Sequence, residues 1–543
     1  MDNDASWTSW GATRPELSRA ARALLAGAMG ALTPQQATPI ERAQVGPSRL
    51  PADARDALAA AVGEASVRDD ATARAEHAGG QSYSDLIRRR RGDTSEAPDA
   101  IVVPGSAAEV AEVLRVCSEH RVAVVPWGGG TSVVGGLSPL AGGCAAVVAV
   151  DLGRLDRLLS VDHVSRTATF EPGIRTPAAE AALAAHGLSL GHIPQSFERA
   201  SLGGYVVTRS SGQVSSGRGR IDDMVLGVRM ATPRGELVLN PMPGSAAGPD
   251  LRRLVLGSEG TLGIVTELTV RVRPVPATTH YEAWAAPSWE VGTRIMRRLA
   301  QDGPKPDVLR LSDEDETRVS LAMSGTAGAK KRAMDAWLRL RGIRGGCLVV
   351  LGYEGSASDV RYRRRGARRV LRAEHAAPLG ASAGRSWEHN RFSGAYLRDT
   401  LLDEGVLAET LETATTWSQL PGLYDGVRGA LTTSLSRDGR APLVGCHVSH
   451  VYPAGASLYF TVLAAADTGQ EIKQWAAAKQ AANDAIVACG GTVTHHHAVG
   501  TAHRDVVTTD LGGEQQVGVA ALRAVKDALD PAGILNPGKL LPG

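Results

Sequence analysis

The histidine triplet His495-His496-His497, the phenol of Tyr452 and the guanidinium of Arg398 are the side chains of this 543-residue sequence best suited to moving a proton and holding an anion. An unperturbed phenol, with a pKa of about 10, is a poor base at neutral pH and needs a cation or an imidazole beside it. The histidines are the obvious source of that help. Successive side chains of an extended segment alternate faces, so His495 and His497 are expected on one side and His496 on the other. Arg398, in Tyr396-Leu-Arg-Asp399, offers a planar fork of donors for a phosphate or carboxylate; the alternative is a surface arginine paired with Asp399 or Glu404. Tyr452, taken alone, reads better as a core tyrosine with its hydroxyl satisfied. His447, His450 and His503 make the region histidine-rich, which raises the alternative of a transition-metal site. Contiguous histidines cannot all reach one ion, and His447 with His450 supplies only two ligands, so no metal is expected.

Three glycine-rich loops lie upstream. Pro126-Trp-Gly-Gly-Gly-Thr-Ser-Val-Val-Gly-Gly136 follows a strand, and its glycines let backbone N–H groups converge on phosphate oxygens. Val133 departs from the Gly-x-Gly-x-x-Gly dinucleotide fingerprint, and no Gly-Lys-Ser/Thr follows to make a Walker loop. Candidate contacts here are Pro126, Gly128, Gly129, Gly130, Thr131, Ser132 and Gly135. The second cluster, Pro194–Gly204 running on to Thr208–Gly212, offers Pro194, Ser196, Ser201, Gly203, Gly204, Thr208, Ser210, Ser211 and Gly212. The third, Gly257-Ser-Glu-Gly-Thr-Leu-Gly-Ile264, offers Glu259, Gly260, Thr261, Gly263 and Ile264. One such loop reads as an ordinary turn; three within one stretch of chain do not.

In this order the three loops resemble the FAD-binding domain of the vanillyl-alcohol oxidase / p-cresol methylhydroxylase superfamily. Within it the chain is most similar to the alkyldihydroxyacetonephosphate synthases. That similarity rests on Trp7-Thr-Ser-Trp-Gly11, Ser82-Tyr-Ser-Asp-Leu86, Ala97–Pro104, Thr232-Pro-Arg-Gly235, Tyr396-Leu-Arg-Asp399, Tyr452-Pro-Ala-Gly455, the triple histidine and Asn536-Pro-Gly-Lys539. It implies an α+β fold: a two-subdomain α/β FAD-binding domain of the vanillyl-alcohol oxidase type, capped by a domain of antiparallel sheet plus helices. It implies non-covalent FAD, Tyr452 and the histidines as catalytic groups, and Arg398 as a substrate-binding group. The implied reaction exchanges the acyl chain of acyl-dihydroxyacetone phosphate for a fatty alcohol through an adduct on flavin N5, as in ether lipid synthesis. The alternative is an FAD-dependent oxidase or dehydrogenase of a 2-hydroxy acid or other small alcohol, and a third reading is a catalytically silent flavin-binding scaffold. The chain departs from the synthase pattern at Ala498, where glycine is usual, and at Pro453, where aspartate is usual.

The elements that must position these groups are legible in the periodicity. Ser106-Ala-Ala-Glu109 is a capping box, and Val110, Val113, Leu114 and Cys117 then fall at helical spacing, giving a helix over 107–119. Strands are expected at Val122–Val125 and Ala145–Val150, a hairpin from Arg157–Val161 and Arg166–Glu171, and a helix capped by Thr176 with Pro177 at its first position. The Arg88–Arg91 and Arg361–Arg372 runs read as solvated helical faces. The expected organisation is a helical region over 1–95, the FAD-binding domain over 96–276, the cap over 277–505, and a terminal segment over 506–543 that returns to the FAD and active-site region. A net charge of +2 provides no global field to recruit nucleic acid, and any membrane contact is expected to be peripheral. Five scattered cysteines argue against a disulfide framework, and Met1–Trp7 lacks the features of a signal peptide, so a cytoplasmic enzyme with a small-molecule or lipid substrate is expected. A homodimer remains open.

Overall fold

A computed structural model describes residues 7–11, 13–324, 328–511 and 516–541. The Met1–Ser6 stretch, read above for a signal peptide, lies outside them. The chain divides into two units, one formed by residues 1–36, 213–218 and 276–495, the other by 37–212, 219–275 and 496–543.

The second of these units holds the glycine loops. Strands Val122–Trp127 and Ala100–Val102 flank Ala146–Asp151 in parallel, and Val67–Arg68 adds antiparallel at the edge. Helix Ala107–Glu119 starts at Ser106, whose hydroxyl accepts the Glu109 N–H at 3.1 Å. The Glu109 carboxylate reaches Gly105 N–H at 2.7 Å, one residue short of the reciprocal capping-box bond. Val110, Val113, Leu114 and Cys117 of this helix pack on Val122, Val124 and Val148, so every strand residue facing it is apolar. A five-stranded antiparallel sheet runs in the order Leu158–Asp162, Thr167–Phe170, Ile264–Arg271, Val225–Thr232, Gly235–Leu239, over a core that includes Phe170, Leu202, Met230 and Leu268. The expected hairpin is its first pair.

The other unit is built on a seven-stranded antiparallel sheet, in the order Ala377–Leu379, Thr278–Ala286, Cys347–Gly355, Val308–Ser312, Leu443–Val448, Gly455–Ala465, Val406–Thr416. Helices Leu420–Leu435 and Glu471–Ala488 lie against each other. Helix Arg19–Met29 buries Ala21, Leu25 and Met29 against Leu401, Val406 and Leu463.

Three local expectations are corrected. Arg175, not Thr176, occupies the cap of helix Thr176–Ala184, and Pro177 stands inside its first turn. Arg89 and Arg90 are buried, with Arg89 donating to the Gly80 carbonyl, because the helix end turns inward onto backbone acceptors. In helix Ala357–Ala373, Arg363 pairs with buried Asp307, and Arg364 and Arg368 pair with buried Glu282. Buried carboxylates must be paired, and these guanidiniums reach them along their apolar stems.

Candidate active site

Tyr452 owes its place to a tight connection. Strands Leu443–Val448 and Gly455–Ala465 pair antiparallel, and in the segment joining them Tyr452 N–H donates to the Gly455 carbonyl at 2.8 Å. The Trp417 indole N–H donates to the Tyr452 carbonyl at 3.1 Å, fixing the turn from the end of Val406–Thr416. The phenol is thereby aimed at His495, with its oxygen 2.6 Å from Nε2. That distance is at the short end for an O–H···N bond and suits proton transfer.

His495 is buried, and its ring stacks on His450 with centroids 5.1 Å apart and 25° between planes. His450 Nδ1 lies 2.6 Å from the Ser215 hydroxyl. On the other side stands Glu412, 2% exposed, from strand Val406–Thr416. Its Oε2 accepts the His495 backbone N–H at 2.7 Å, and its Oε1 accepts the Thr494 hydroxyl at 2.6 Å. Oε2 is also 4.0 Å from His495 Nδ1, within ion-pair range.

Arg398 is carried by helix Gly394–Asp403 of the same unit. Its neighbour Asp399 accepts the Trp10 N–H at 2.7 Å and lies 3.7 Å from Arg14, while Glu404 pairs with Arg22 at 2.6 Å. Arg398 acts electrostatically on Glu409, whose burial pushes its carboxyl up to about 7 against the pull of Arg398 and Lys479.

The division of the chain falls between His495 and His496. His495–His497 bends rather than extends, and the His496 and His497 rings meet edge to face with centroids 4.8 Å apart. The strand-like alternation of the triplet therefore does not hold. Ala498 follows at φ +74°, in the left-handed region where glycine sits without penalty.

In the unit of the glycine loops, a Cβ added at Gly128 would stand 2.2 Å from the Ser201 hydroxyl, and one at Gly129 would stand 2.0 Å from the Arg199 carbonyl oxygen. The first and second loops thus meet backbone to backbone, which only glycine permits. Ser201 caps helix Leu202–Thr208 by accepting the Gly204 N–H at 3.3 Å. Buried His192 bonds Ser210 Oγ through Nε2 at 2.7 Å, and burial holds its pKa down to about 3, so the ring is neutral. His192 Nδ1 and Ser258 Oγ, both buried beside these motifs, have no hydrogen-bond partner among the described residues. The unspent polar atoms of His192 and Ser258 are groups that a bound dinucleotide such as FAD would satisfy, and the exposed backbone amides of glycine-rich loops suit its phosphates.

Glu259 has a different occupation. Its carboxylate accepts the N–H groups of Val499 and Gly500 at 2.9 and 2.8 Å, and burial raises its pKa to about 7 against those bonds and Lys539. Asn536 donates through Nδ2 to the carbonyls of Gly136 and Glu259 at 3.2 and 2.6 Å, and Lys539 donates to Ser138 O. Sequence reasoning missed Glu412, Ser215 and the bonding of Asn536. Glu412 had one weak signal, its place with Glu409 as one of two carboxylates in strand Val406–Thr416.

Residues 98–239 match the family model described as FAD binding domain, and residues 275–540 match that of FAD linked oxidases, C-terminal domain. The alkyldihydroxyacetonephosphate synthase of Trypanosoma brucei brucei is 33% identical over 495 residues, covering 90% of this chain and 80% of that protein. A solved alkyldihydroxyacetonephosphate synthase superposes with a TM-score of 0.85 at 28% identity, over 99% of both chains. The structure of p-cresol methylhydroxylase with substrate bound superposes with a TM-score of 0.66 at 16% identity, over 90% of this chain and 96% of that one, a likeness of fold.

Proposed function

The chain belongs to the alkyldihydroxyacetonephosphate synthase family and is an FAD-dependent enzyme, and on that premise we propose that Tyr452 and His495 are its proton-moving pair. The reaction is exchange of the acyl chain of acyl-dihydroxyacetone phosphate for a fatty alcohol. When bound, FAD supplies the electrophilic character that the exchange requires, without net change of redox state.

The observation that carries the reading is the 2.6 Å contact between the Tyr452 hydroxyl and His495 Nε2. As the Tyr452 oxygen takes a proton from the substrate carbon, its own proton passes to His495, so no free phenolate is needed at neutral pH. The same pair returns the proton when the alcohol has replaced the acid. Burial of His495 keeps that proton from bulk water. Arg398 is assigned to the substrate phosphate, which its fork of donors matches.

Supplying the purified holoenzyme with acyl-dihydroxyacetone phosphate and labelled hexadecanol tests this. Labelled ether product and released fatty acid are expected, and Tyr452→Phe should abolish both while leaving the flavin spectrum unchanged. Bleaching of the flavin by small 2-hydroxy acids with no ether product would replace the exchange with an oxidation. Full turnover by Tyr452→Phe would remove its role.

A further inference from the structure

Resting on the Tyr452 and His495 reading above, we infer that Glu412 is a positioning residue that fixes the tautomer and orientation of His495, making Glu412, His495 and Tyr452 a three-member proton relay. Glu412 accepts the His495 N–H and the Thr494 hydroxyl, one through each carboxylate oxygen, so both residues leading into the imidazole are tied to one buried group. The ring itself is then held on one face by His450, at 5.1 Å, and at its Nε2 edge by Tyr452. Its remaining edge, Nδ1, faces Glu412 Oε2 at 4.0 Å.

An imidazole bonded at one edge and facing a carboxylate at the other has its protonation pattern set by those two neighbours. A carboxylate accepts and cannot donate, so Nδ1 carries the hydrogen and Nε2 presents its lone pair to the Tyr452 O–H. As Tyr452 Oη takes the substrate proton and its own hydrogen moves to Nε2, the ring becomes an imidazolium with Nδ1–H towards the Glu412 charge. The electron pair stays on the substrate carbon, the ring holds one added proton, and the carboxylate keeps its charge throughout. At 4.0 Å, Oε2 needs only a small ring rotation to reach hydrogen-bond distance once the ring is charged.

Tyr452, His450 and Glu412 touch or face the His495 ring, and Lys479 of helix Glu471–Ala488 acts electrostatically on Glu412 and Glu409. Glu412 is the carboxylate placed against the Nδ1 edge of the His495 ring.

The experiment compares Glu412→Gln, Glu412→Asp and Tyr452→Phe as holoenzymes, reading kcat/KM against pH, flavin content and melting temperature. Gln keeps an oxygen for the backbone N–H but loses the charge. It is expected to lower kcat at least roughly tenfold with KM little changed, and to move the acidic limb of the profile down by about one pH unit, since a nearby opposite charge favours the imidazolium. Asp keeps the charge on a shorter arm and should restore the limb. A Gln variant with parental kcat and profile overturns the proposal. So does one whose loss of rate tracks a lower melting temperature or flavin content with an unmoved limb, which marks a purely structural bond. Retained turnover in Tyr452→Phe overturns the underlying reading instead, whatever Glu412 does.

Discussion

At the scale of single residues, chemistry in this protein depends on what each group leans against. Arg398 is assigned to a phosphate because it brings a fork of donors, a property lysine lacks. Arg398→Lys should therefore raise KM for the phosphate substrate roughly tenfold with a smaller change in kcat, read from initial rates. Ala498 carries a different signature. Its φ of +74° costs an alanine about 1 kcal/mol that a glycine would not incur. Ala498→Gly is expected to raise the melting temperature; an unchanged melt would mean that the added entropy of the unfolded glycine cancels the relief. The synthase pattern has glycine at this point, and the backbone conformation supplies the reason.

At the scale of elements, the loops and the tail act together. In the unfolded chain Glu259 ionises near 4.5, and in the folded chain its burial moves this to about 7. Between those values the folded form binds more protons, so this group's contribution to stability declines as pH rises. Glu259→Gln has no charge to bury, and urea denaturation should show it gaining on the parent between about pH 5 and pH 7. Asn536, which ties Gly136 to the Glu259 carbonyl, should matter to the cofactor: Asn536→Ala leaves buried carbonyls unserved and is expected to weaken FAD retention roughly tenfold, measured by equilibrium dialysis. Much of this scale was legible in the sequence. Ser106 and the apolar spacing after it are local signals, and they gave helix Ala107–Glu119 its bounds. The glycine loops were read as amide cradles for phosphate; at Gly128 and Gly129 the structure adds close approaches to the Ser201 hydroxyl and the Arg199 carbonyl, which the sequence did not announce. What was not legible depends on partners far along the chain. Nothing near Glu412 says that His495, 83 residues on, will use it. Nor does the Arg88–Arg91 run say that two of its guanidiniums turn inward.

At the scale of the whole molecule, the chain leaves and re-enters each unit. The seven-stranded sheet unit borrows helix Arg19–Met29 and residues 213–218, whose Val214 packs on Tyr281 and Val350. Removing residues up to 36 strips Ala21, Leu25 and Met29 from Leu401, Val406 and Leu463, and should lower the melting temperature markedly or leave the protein insoluble. The glycine-loop unit is likewise completed late. The Val124 N–H donates to Ile534 O and its carbonyl accepts from Asn536 N, both at 2.8 Å, and the buried side chains of Ile534 and Leu535 close the core beneath. Synthesis runs from the N-terminus, so every residue of the first unit precedes the segment from His496 onward that completes the second. A stop codon placed between His497 and Ile534 would therefore yield a polypeptide that contains Tyr452, His495 and Glu412 but lacks the backbone partners of Val124.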